Sequence, residues 1–267
     1  MNISTALGFL LAATILIGGM LTATPNWKIF FDLHAAIIVI GGTLAATMVS
    51  FPIKQLYKLV KVIGIRILQQ QKSVHISVIN EVVRLSEGLK DDKEHLQKNV
   101  DSIKTPFLKE AIQIEIAGGI DEYKIDIILK KRAEVHFIRY EGEAHVFKTV
   151  ARFPPAFGLL GAVLGMVALL SGLGSPDSFK QIGPAMAMAM VATLYGVAMA
   201  NFIFIPLGEN LSKLSEEDHL MRCIVIDAIK LLRDREHPIV VEEYLKSYLL
   251  STERKVLLEQ MTGKKAA

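Results

Sequence analysis

The sequence predicts an all-α polytopic membrane protein with four transmembrane helices and a helical cytoplasmic domain. Apolar residues make up 51% of the 267 positions, and the mean hydropathy of +0.39 is too high for a typical soluble domain of this size. Four long apolar stretches have no Asp, Glu, Lys or Arg in their interiors; they cover residues 4–23, 33–51, 155–173 and 182–206. The segments between them show helical periodicity and no strand-like alternation.

Each apolar stretch is long enough to cross a membrane. At about 1.5 Å per residue, each one spans a hydrocarbon core of about 30 Å. The first stretch has an alternative interpretation as a signal peptide, because Thr22, Ala23 and Thr24 are small residues near a plausible cleavage point. Its leader MNIST lacks the Lys or Arg of a signal-peptide n-region, so we expect an uncleaved anchor.

The distribution of basic residues predicts the orientation. Of the 30 Lys and Arg, only Lys28 and Lys180 lie in the two short loops, and the other 28 lie in the two long segments. Because positively charged segments stay inside, both termini and both long segments are predicted to be cytoplasmic. The predicted plan is transmembrane helices 1 and 2 in residues 1–51, a cytoplasmic helical domain in 52–152, transmembrane helices 3 and 4 in 153–206, and a cytoplasmic helical tail in 207–267.

The cytoplasmic segments are predicted to be helical. Apolar residues recur at helical spacing at Val74, Val78, Val82 and Leu85. A second helix is expected to stop at Gly118-Gly119, and a third, capped by Asp121, to run over residues 122–150. In the tail, an apolar helical face precedes the break at His237-Pro238, and a last helix is predicted over about residues 240–260.

Several functional classes are excluded or disfavoured by the sequence. It has no phosphate loop, GxSxG elbow, HExxH motif, cysteine pair or clustered histidines at metal spacing, so we expect neither an enzyme nor a bound cofactor. Basic residues alternate with acidic ones and the net charge is only +3, so nucleic acid is not an expected partner. The basic run at residues 54–66 is the ordinary flank of a membrane helix next to lipid.

The interiors of the apolar stretches carry no acidic or basic side chain that could move an ion. If this protein takes part in ion movement, another chain must therefore supply the titrating group. The third and fourth stretches each have a face of small residues, Gly158, Gly161, Gly165, Ala168 and Gly172 in one and Ala185, Ala189, Thr193, Gly196 and Ala200 in the other. Such faces serve either packing within the chain or close approach of a partner helix, and both interpretations stay open.

Two long motifs resemble a known family. The runs PPAFGLLGAVLGMVALLSGLGSP and IGPAMAMAMVATLYGVAMANFIFIPLGENL resemble the third and fourth spans of the flagellar stator proteins MotA/PomA, which are grouped with ExbB and TolQ. The order of elements matches over essentially the whole chain. The resemblance implies a stator subunit in the bacterial inner membrane, part of a five-to-two complex with a MotB-like, single-span, peptidoglycan-binding partner that carries the missing aspartate. Ion flow through this complex would turn the ring of subunits against the rotor protein FliG and so drive flagellar rotation.

The resemblance also implies which residues line the ion pathway. Thr193 matches the family's channel-facing threonine, and Pro155 and Pro206 match its two functionally sensitive prolines. Ala162 stands where sodium-driven members have a threonine in GTLIG; the loss of that hard oxygen ligand favours protons over sodium. The predicted lining comprises Thr193, Ala162, Pro155, Pro206, Gly161 and Gly165.

The rotor-facing region matches more loosely. The segment RLSEGLKDDKEHL has a basic residue and a glycine in common with the family pattern RKxGLLALE, but charged residues replace the Leu-rich run of that pattern. We expect Arg84, Glu87, Asp92 and Glu94 to face the rotor, with an ordinary solvated face as the alternative. An ExbB/TolQ-type energiser of an outer-membrane process and a non-conducting membrane scaffold are the alternative functions.

Overall fold

A computed structural model describes residues 3–54, 56–57, 74–91, 95–172, 178–255 and 257 of the chain. Within these residues the protein is almost entirely helical and contains no β-strand, which confirms the all-α prediction. The chain divides into two compact units. The first combines Met1–Gln70 with Glu141–Lys213, and the second combines Gln71–Tyr140 with Leu214–Ala267.

Eleven α-helices are described in chain order. They are α1 (Ile3–Ala23), α2 (Leu33–Ala36), α3 (Gly42–Ser50), α4 (Val74–Asp91), α5 (His95–Asn99), α6 (Pro106–Ala117), α7 (Glu122–Val150), α8 (Phe153–Gly172), α9 (Ser178–Met199), α10 (Ile205–Arg233) and α11 (Pro238–Lys246). Short 3₁₀ turns cover Trp27–Phe30 and Val100–Ser102. π-helical turns cover Ile37–Gly41, between α2 and α3, and Ala200–Phe204, between α9 and α10.

Three helical segments of the described residues are long and apolar enough to cross a membrane. They are Trp27–Ser50, Glu122–Gly172 and Ile182–Arg233, and they contain the second, third and fourth predicted spans. The first predicted span corresponds to a shorter apolar helical segment, Leu7–Ala23. The protein is therefore a membrane protein, and the count of four spans stays a prediction.

Prolines mark the start of α8 and the region just after α9, which are the two chain ends of this antiparallel pair. Pro154 and Pro155 lie in the first turn of α8, where a missing N–H is tolerated, and α7 ends four residues before Pro154, at Val150. At the other end, Pro206 cannot donate to the carbonyl of residue 202, and its ring would clash with that carbonyl in a regular α-helix. The π turn at Ala200–Phe204 widens the helix just before Pro206 and accommodates this defect.

A tyrosine holds the loop before α2 against α9 in the first unit. The Tyr195 hydroxyl donates to the Phe30 carbonyl at 2.5 Å and accepts from the Asp32 N–H at 3.3 Å. The Asp32 carboxylate caps α2 by accepting from the Ala35 N–H at 2.8 Å. These bonds satisfy backbone groups at a helix start that would otherwise lack partners.

The second unit has a conventional apolar core. The predicted face of α4 is confirmed, because Val78, Val82 and Leu85 are buried and Val74 packs against the same cluster. The helix stop at Gly118-Gly119 is also confirmed, since both residues adopt positive φ angles, 67° and 78°, directly after α6. The Asp121 carboxylate accepts from the Tyr123 N–H at 3.1 Å and caps α7 as predicted.

The last predicted helix is wrong as a continuous element. α11 ends at Lys246, a turn follows, and helix resumes only at residues 251–255. The N–H groups of Ser247, Tyr248 and Leu249 bond to carbonyls three residues back, which tightens the chain and ends α11. The new helical turn starts with the Glu253 carboxylate accepting from the Leu250 N–H at 3.0 Å, half of a capping box.

Candidate functional site

The small-residue face of α8 lies directly against α9 of the same chain. Gly158, Gly161 and Gly165 are all buried. A Cβ on Gly158 would lie 2.9 Å from the carbonyl oxygen of Ala192, and one on Gly161 would lie 2.6 Å from the Cβ of the same alanine. A Cβ on Gly165 would lie 2.8 Å from the Cβ of Ala189. We call this contact between residues 158–165 and 189–196 the glycine interface.

The glycine interface shows which helix packs against Gly158, Gly161 and Gly165: it is α9 of the same chain. The close approach predicted from the small residues occurs, and it occurs within one chain. Real side chains at Gly158 or Gly165 would press on backbone atoms of α9, which cannot move aside cheaply. That Gly161 and Gly165 line an ion pathway stays a prediction.

Gly196 completes the interface from the side of α9. A Cβ there would collide with the carbonyl oxygen of Pro154 and would lie 3.0 Å from its carbonyl carbon and 3.1 Å from the Cα of Pro155. The sequence placed Gly196 on the small-residue face of the fourth span but did not indicate that it supports the double proline. No motif in the sequence carries that information, because it depends on where the two helices cross.

Thr193 presents a hydroxyl at the edge of the glycine interface. Its Oγ1 donates to the Ala189 carbonyl at 3.3 Å, and the Gly158 carbonyl lies 3.5 Å away. Thr193 is exposed in the single chain, so its oxygen lone pairs remain accessible. This hydroxyl can accept a hydrogen bond from water or contribute one oxygen ligand to a cation.

The other predicted lining residues lie on α8 and at the start of α10. Pro155 is half-buried at the start of α8, and Ala162 is half-buried one helical turn beyond Gly158. Pro206 is half-buried at the second position of α10, after the π turn. The structure brings Thr193 and Pro155 to the same pair of packed helices, since Gly196 contacts Pro155 and Thr193 contacts Gly158.

Two of the four predicted rotor-facing residues lie in the described part of the chain. Arg84 and Glu87 are exposed on α4, and the Arg84 Nε bonds only weakly to the Asn80 carbonyl, at 3.4 Å. Asp92 and Glu94 lie outside the described residues. The rotor-facing role of all four stays a prediction.

Ionic groups stabilise the helices of the second unit, on the part of α10 that follows the predicted end of the fourth span at residue 206. The Arg233 guanidinium binds both oxygens of Glu115 at 2.8 Å and reaches Asp126 at 3.3 Å. These bonds to Glu115 hold the pKa of Arg233 above its usual range. The arrangement is a bidentate pair of the strong, geometrically specific kind.

A second ionic group surrounds Asp227. Its carboxylate accepts from the Tyr248 hydroxyl at 2.6 Å, from Lys230 at 3.0 Å and from the Tyr244 hydroxyl at 3.3 Å. Burial raises the pKa of Asp227, but these donors outweigh burial and hold its pKa below the usual range. Burial and the neighbouring carboxylate raise the pKa of Tyr248.

Comparison of the sequence with known proteins identifies the family of this chain. The family model described as the MotA/TolQ/ExbB proton channel family matches residues 99–222. Motility protein A of Aquifex aeolicus is 30% identical over 252 residues, a match that covers 91% of this chain and 94% of that protein. The chain belongs to the MotA/TolQ/ExbB proton channel family.

Further relatives match this family member over nearly its whole length. Chemotaxis protein PomA of Vibrio alginolyticus is 26% identical over 260 residues, covering 97% of this chain and 100% of PomA. Motility protein A of Borreliella burgdorferi is 26% identical over 264 residues, covering 98% of this chain and 100% of that protein. The resemblance inferred from the third and fourth spans is thereby confirmed.

Solved structures share the fold. The flagellar MotAB stator complex from Bacillus subtilis contains a chain that superposes with a TM-score of 0.82 at 24% identity, covering 93% of this chain and 96% of that one. The C. jejuni MotAB structure gives a TM-score of 0.81 at 23% identity, with 94% and 97% covered. The helical arrangement of this family member is therefore that of MotA chains.

Proposed function

We propose that this chain is a flagellar motor stator subunit that forms an ion channel with a MotB-like partner and couples ion flow to torque on the rotor. The observation that carries the proposal is the packed pair α8–α9, with an accessible Thr193 hydroxyl beside the glycine interface, in a chain that matches Motility protein A relatives from end to end. The spans themselves hold no Asp, Glu, Lys or Arg in their interiors, so the titrating carboxylate is proposed to belong to the partner.

Complementation tests this function. The chain is expressed with a MotB-like partner in a strain that lacks its own stator, and swimming in soft agar is measured. We expect Thr193→Ile to abolish swimming, because it removes the accessible hydroxyl and adds bulk beside Gly158. The matched control is Thr14→Ile, since Thr14 lies on α1 and its hydroxyl donates to the Leu10 carbonyl of its own helix. Full swimming by the Thr193 variant would contradict the conducting role.

Protons are the ion we propose. Ala162 offers no side-chain oxygen on α8, and a single threonine hydroxyl is a poor ligand set for sodium, which prefers several hard oxygens. Swimming speed at fixed pH should therefore be unchanged when sodium is replaced by potassium. Arrest in potassium would overturn this assignment.

The orientation proposed here puts both termini and both long segments in the cytoplasm. The sequence supports it through the basic residues, and an accessibility experiment tests it. A cysteine introduced at exposed Asn26 should react with an impermeant maleimide in spheroplasts, whereas one at exposed Ser251 should react only after permeabilisation. Labelling of both in intact spheroplasts would refute the orientation.

The rotor contact is proposed for the exposed side of α4. Arg84 and Glu87 would align the ring with charged groups of FliG, as oriented charges do in transient contacts. Arg84→Glu should lower torque, and a matching charge reversal in the rotor protein should restore it. The control is Arg139→Glu, at another exposed position. If no reversal in the rotor restores torque, α4 does not make this contact.

A further inference from the structure

A polar network lies between α7 and α10 of the first unit, next to the proline-bearing ends of the third and fourth spans. Lys148 Nζ lies 3.3 Å from Glu209 Oε1 and donates to the Ser212 hydroxyl at 3.3 Å. The same hydroxyl donates to Glu141 Oε1 at 2.7 Å. Four polar side chains are therefore connected in the order Glu209, Lys148, Ser212 and Glu141, and we call them the polar network.

The position of the polar network relates it to the ion pathway. Glu209 follows Pro206 by three residues, and Lys148 precedes Pro155 by seven. The two helices approach closely here, because a Cβ on Gly208 would lie 3.0 Å from Lys148 Cγ and 3.3 Å from its backbone nitrogen. The polar network therefore lies within a few residues of the proline-bearing start of α8 and end of α9.

The two carboxylates differ in their surroundings. The side chain of Glu209 is 65% exposed, so it is in contact with bulk water. Glu141 Oε1 accepts from Ser212, which is only 8% exposed, whereas Glu141 Oε2 is buried and accepts no hydrogen bond from any described residue. A buried carboxylate oxygen is stabilised when it accepts a hydrogen bond. Oε2 of Glu141 can therefore bind a proton or accept a hydrogen bond from a water that carries one.

We propose that Glu209 and Glu141 are the proton-release groups of this stator subunit. A carboxylate oxygen takes a proton from hydronium leaving the pathway, which forms an O–H bond and leaves a neutral water. The acid then returns the proton to cytoplasmic water and becomes a carboxylate again. Lys148 and Ser212 are positioning residues: the ammonium contacts Glu209 and donates to the Ser212 hydroxyl, and that hydroxyl orients Glu141.

The inference rests on the proposed function with protons as the ion, and its test separates the two. Bead assays on motors rebuilt from this chain and a MotB-like partner measure speed at low load, where ion transfer limits rotation, and torque near stall, where it does not. The variants are Glu209→Gln, Glu141→Gln and their combination. Glu216→Gln, an exposed position farther along α10, is the control for the loss of one charge.

We expect the double variant to lose about half or more of its low-load speed while keeping its torque near stall, because loss of a positioned proton carrier slows transfer. Its slowing in heavy water should exceed that of the unmodified chain, and Glu216→Gln should behave like the unmodified chain. Ser212→Thr, which keeps the hydroxyl, should retain speed where Ser212→Ala loses it.

Two outcomes would overturn the inference. Equal fractional loss of low-load speed and stall torque would mean that the polar network only holds α7 and α10 together. Unchanged speed in the double variant, at normal membrane levels by immunoblot, would mean that protons leave elsewhere. Failure of the proposed function looks different, since the unmodified chain would then rotate no motor with its partner.

Discussion

Replacing Gly196 by alanine would place a methyl group into the backbone of the neighbouring helix. The new Cβ would collide with the Pro154 carbonyl oxygen and lie 3.0 Å from its carbonyl carbon and 3.1 Å from Pro155 Cα. Ordinary contacts between such atoms are about 3.5–4.0 Å, so α8 and α9 must separate by about 0.5–1 Å. Backbone atoms at the start of α8 cannot rotate away as a side chain would.

The cost follows from that separation. A gap of about 0.5–1 Å forfeits about a quarter to a half of the dispersion energy of each contact across the interface. Overpacking of this kind typically costs about 1–3 kcal/mol, and every 1.4 kcal/mol is about a tenfold change in the equilibrium between the packed and the separated pair. Alanine also favours the helix over glycine by about 1 kcal/mol, which offsets part of the loss. The net destabilisation is therefore about 0–2 kcal/mol, and we expect the upper part of this range because the atoms that the Cβ meets belong to backbone.

The assay compares Gly196→Ala with Gly183→Ala, a change on the same helix with no atom within 4 Å of the added Cβ. The thermal midpoint of the detergent-solubilised protein should fall for Gly196→Ala and stay equal or rise for Gly183→Ala. Swimming of complemented cells should drop only for the first variant. Equal midpoints for the two variants would refute the claim that backbone contact at Pro154 makes this glycine necessary.

Three predictions concern the second unit. Arg233→Met removes the cation that pairs with the half-buried carboxylates of Glu115 and Asp126. Allowing for the partial exposure of these carboxylates, the change should lower the free energy of unfolding by about 2–3 kcal/mol. Denaturant titration followed by circular dichroism measures this difference. Burial and Asp227 raise the pKa of Tyr248, so the folded state keeps the phenol proton at pH values above the ordinary pKa of 10.0, where the unfolded state loses it. The free energy of unfolding should therefore decline as the pH rises beyond 10.0. The decline should be less steep in Tyr248→Phe. Burial likewise raises the pKa of the Cys223 thiol. At neutral pH this thiol should therefore react with maleimide at least several-fold more slowly than a cysteine introduced at exposed Ser251. Equal reaction rates would contradict this prediction.

The sequence predicted most strongly what depends on local patterns. The apolar face of α4, the stop at Gly118-Gly119 and the cap at Asp121 are all set by residues close together in the chain, and all three occur. A close helix contact on the glycine face of the third span was also predictable from glycines at spacings of three and four, but the sequence left open whether the contacting helix belongs to the same chain.

Features that depend on long-range contacts were not predictable. The helix predicted over residues 240–260 is broken by the tight turn at Ser247–Leu249, and Tyr248 in that turn bonds to Asp227 on α10, a contact that the local pattern does not show. The polar network joins residues separated by more than sixty positions, Glu141 and Lys148 to Ser212, and each of them alone looks like an ordinary solvated charge or hydroxyl.

The glycines and the threonine of the α8–α9 pair have separable roles. The glycine interface is filled by backbone and small side chains of the same chain, so changes there act first on packing and stability. Thr193 contributes only weak bonds of 3.3 Å and 3.5 Å to that packing and keeps its oxygen accessible, so changes there act first on what its hydroxyl contacts. A conservative Thr193→Ser change should therefore preserve both stability and swimming, whereas Thr193→Val, nearly equal in volume, should preserve stability and lose swimming. A Thr193→Val protein that swims normally would show that shape, and not the hydroxyl, is what the pathway requires at this position.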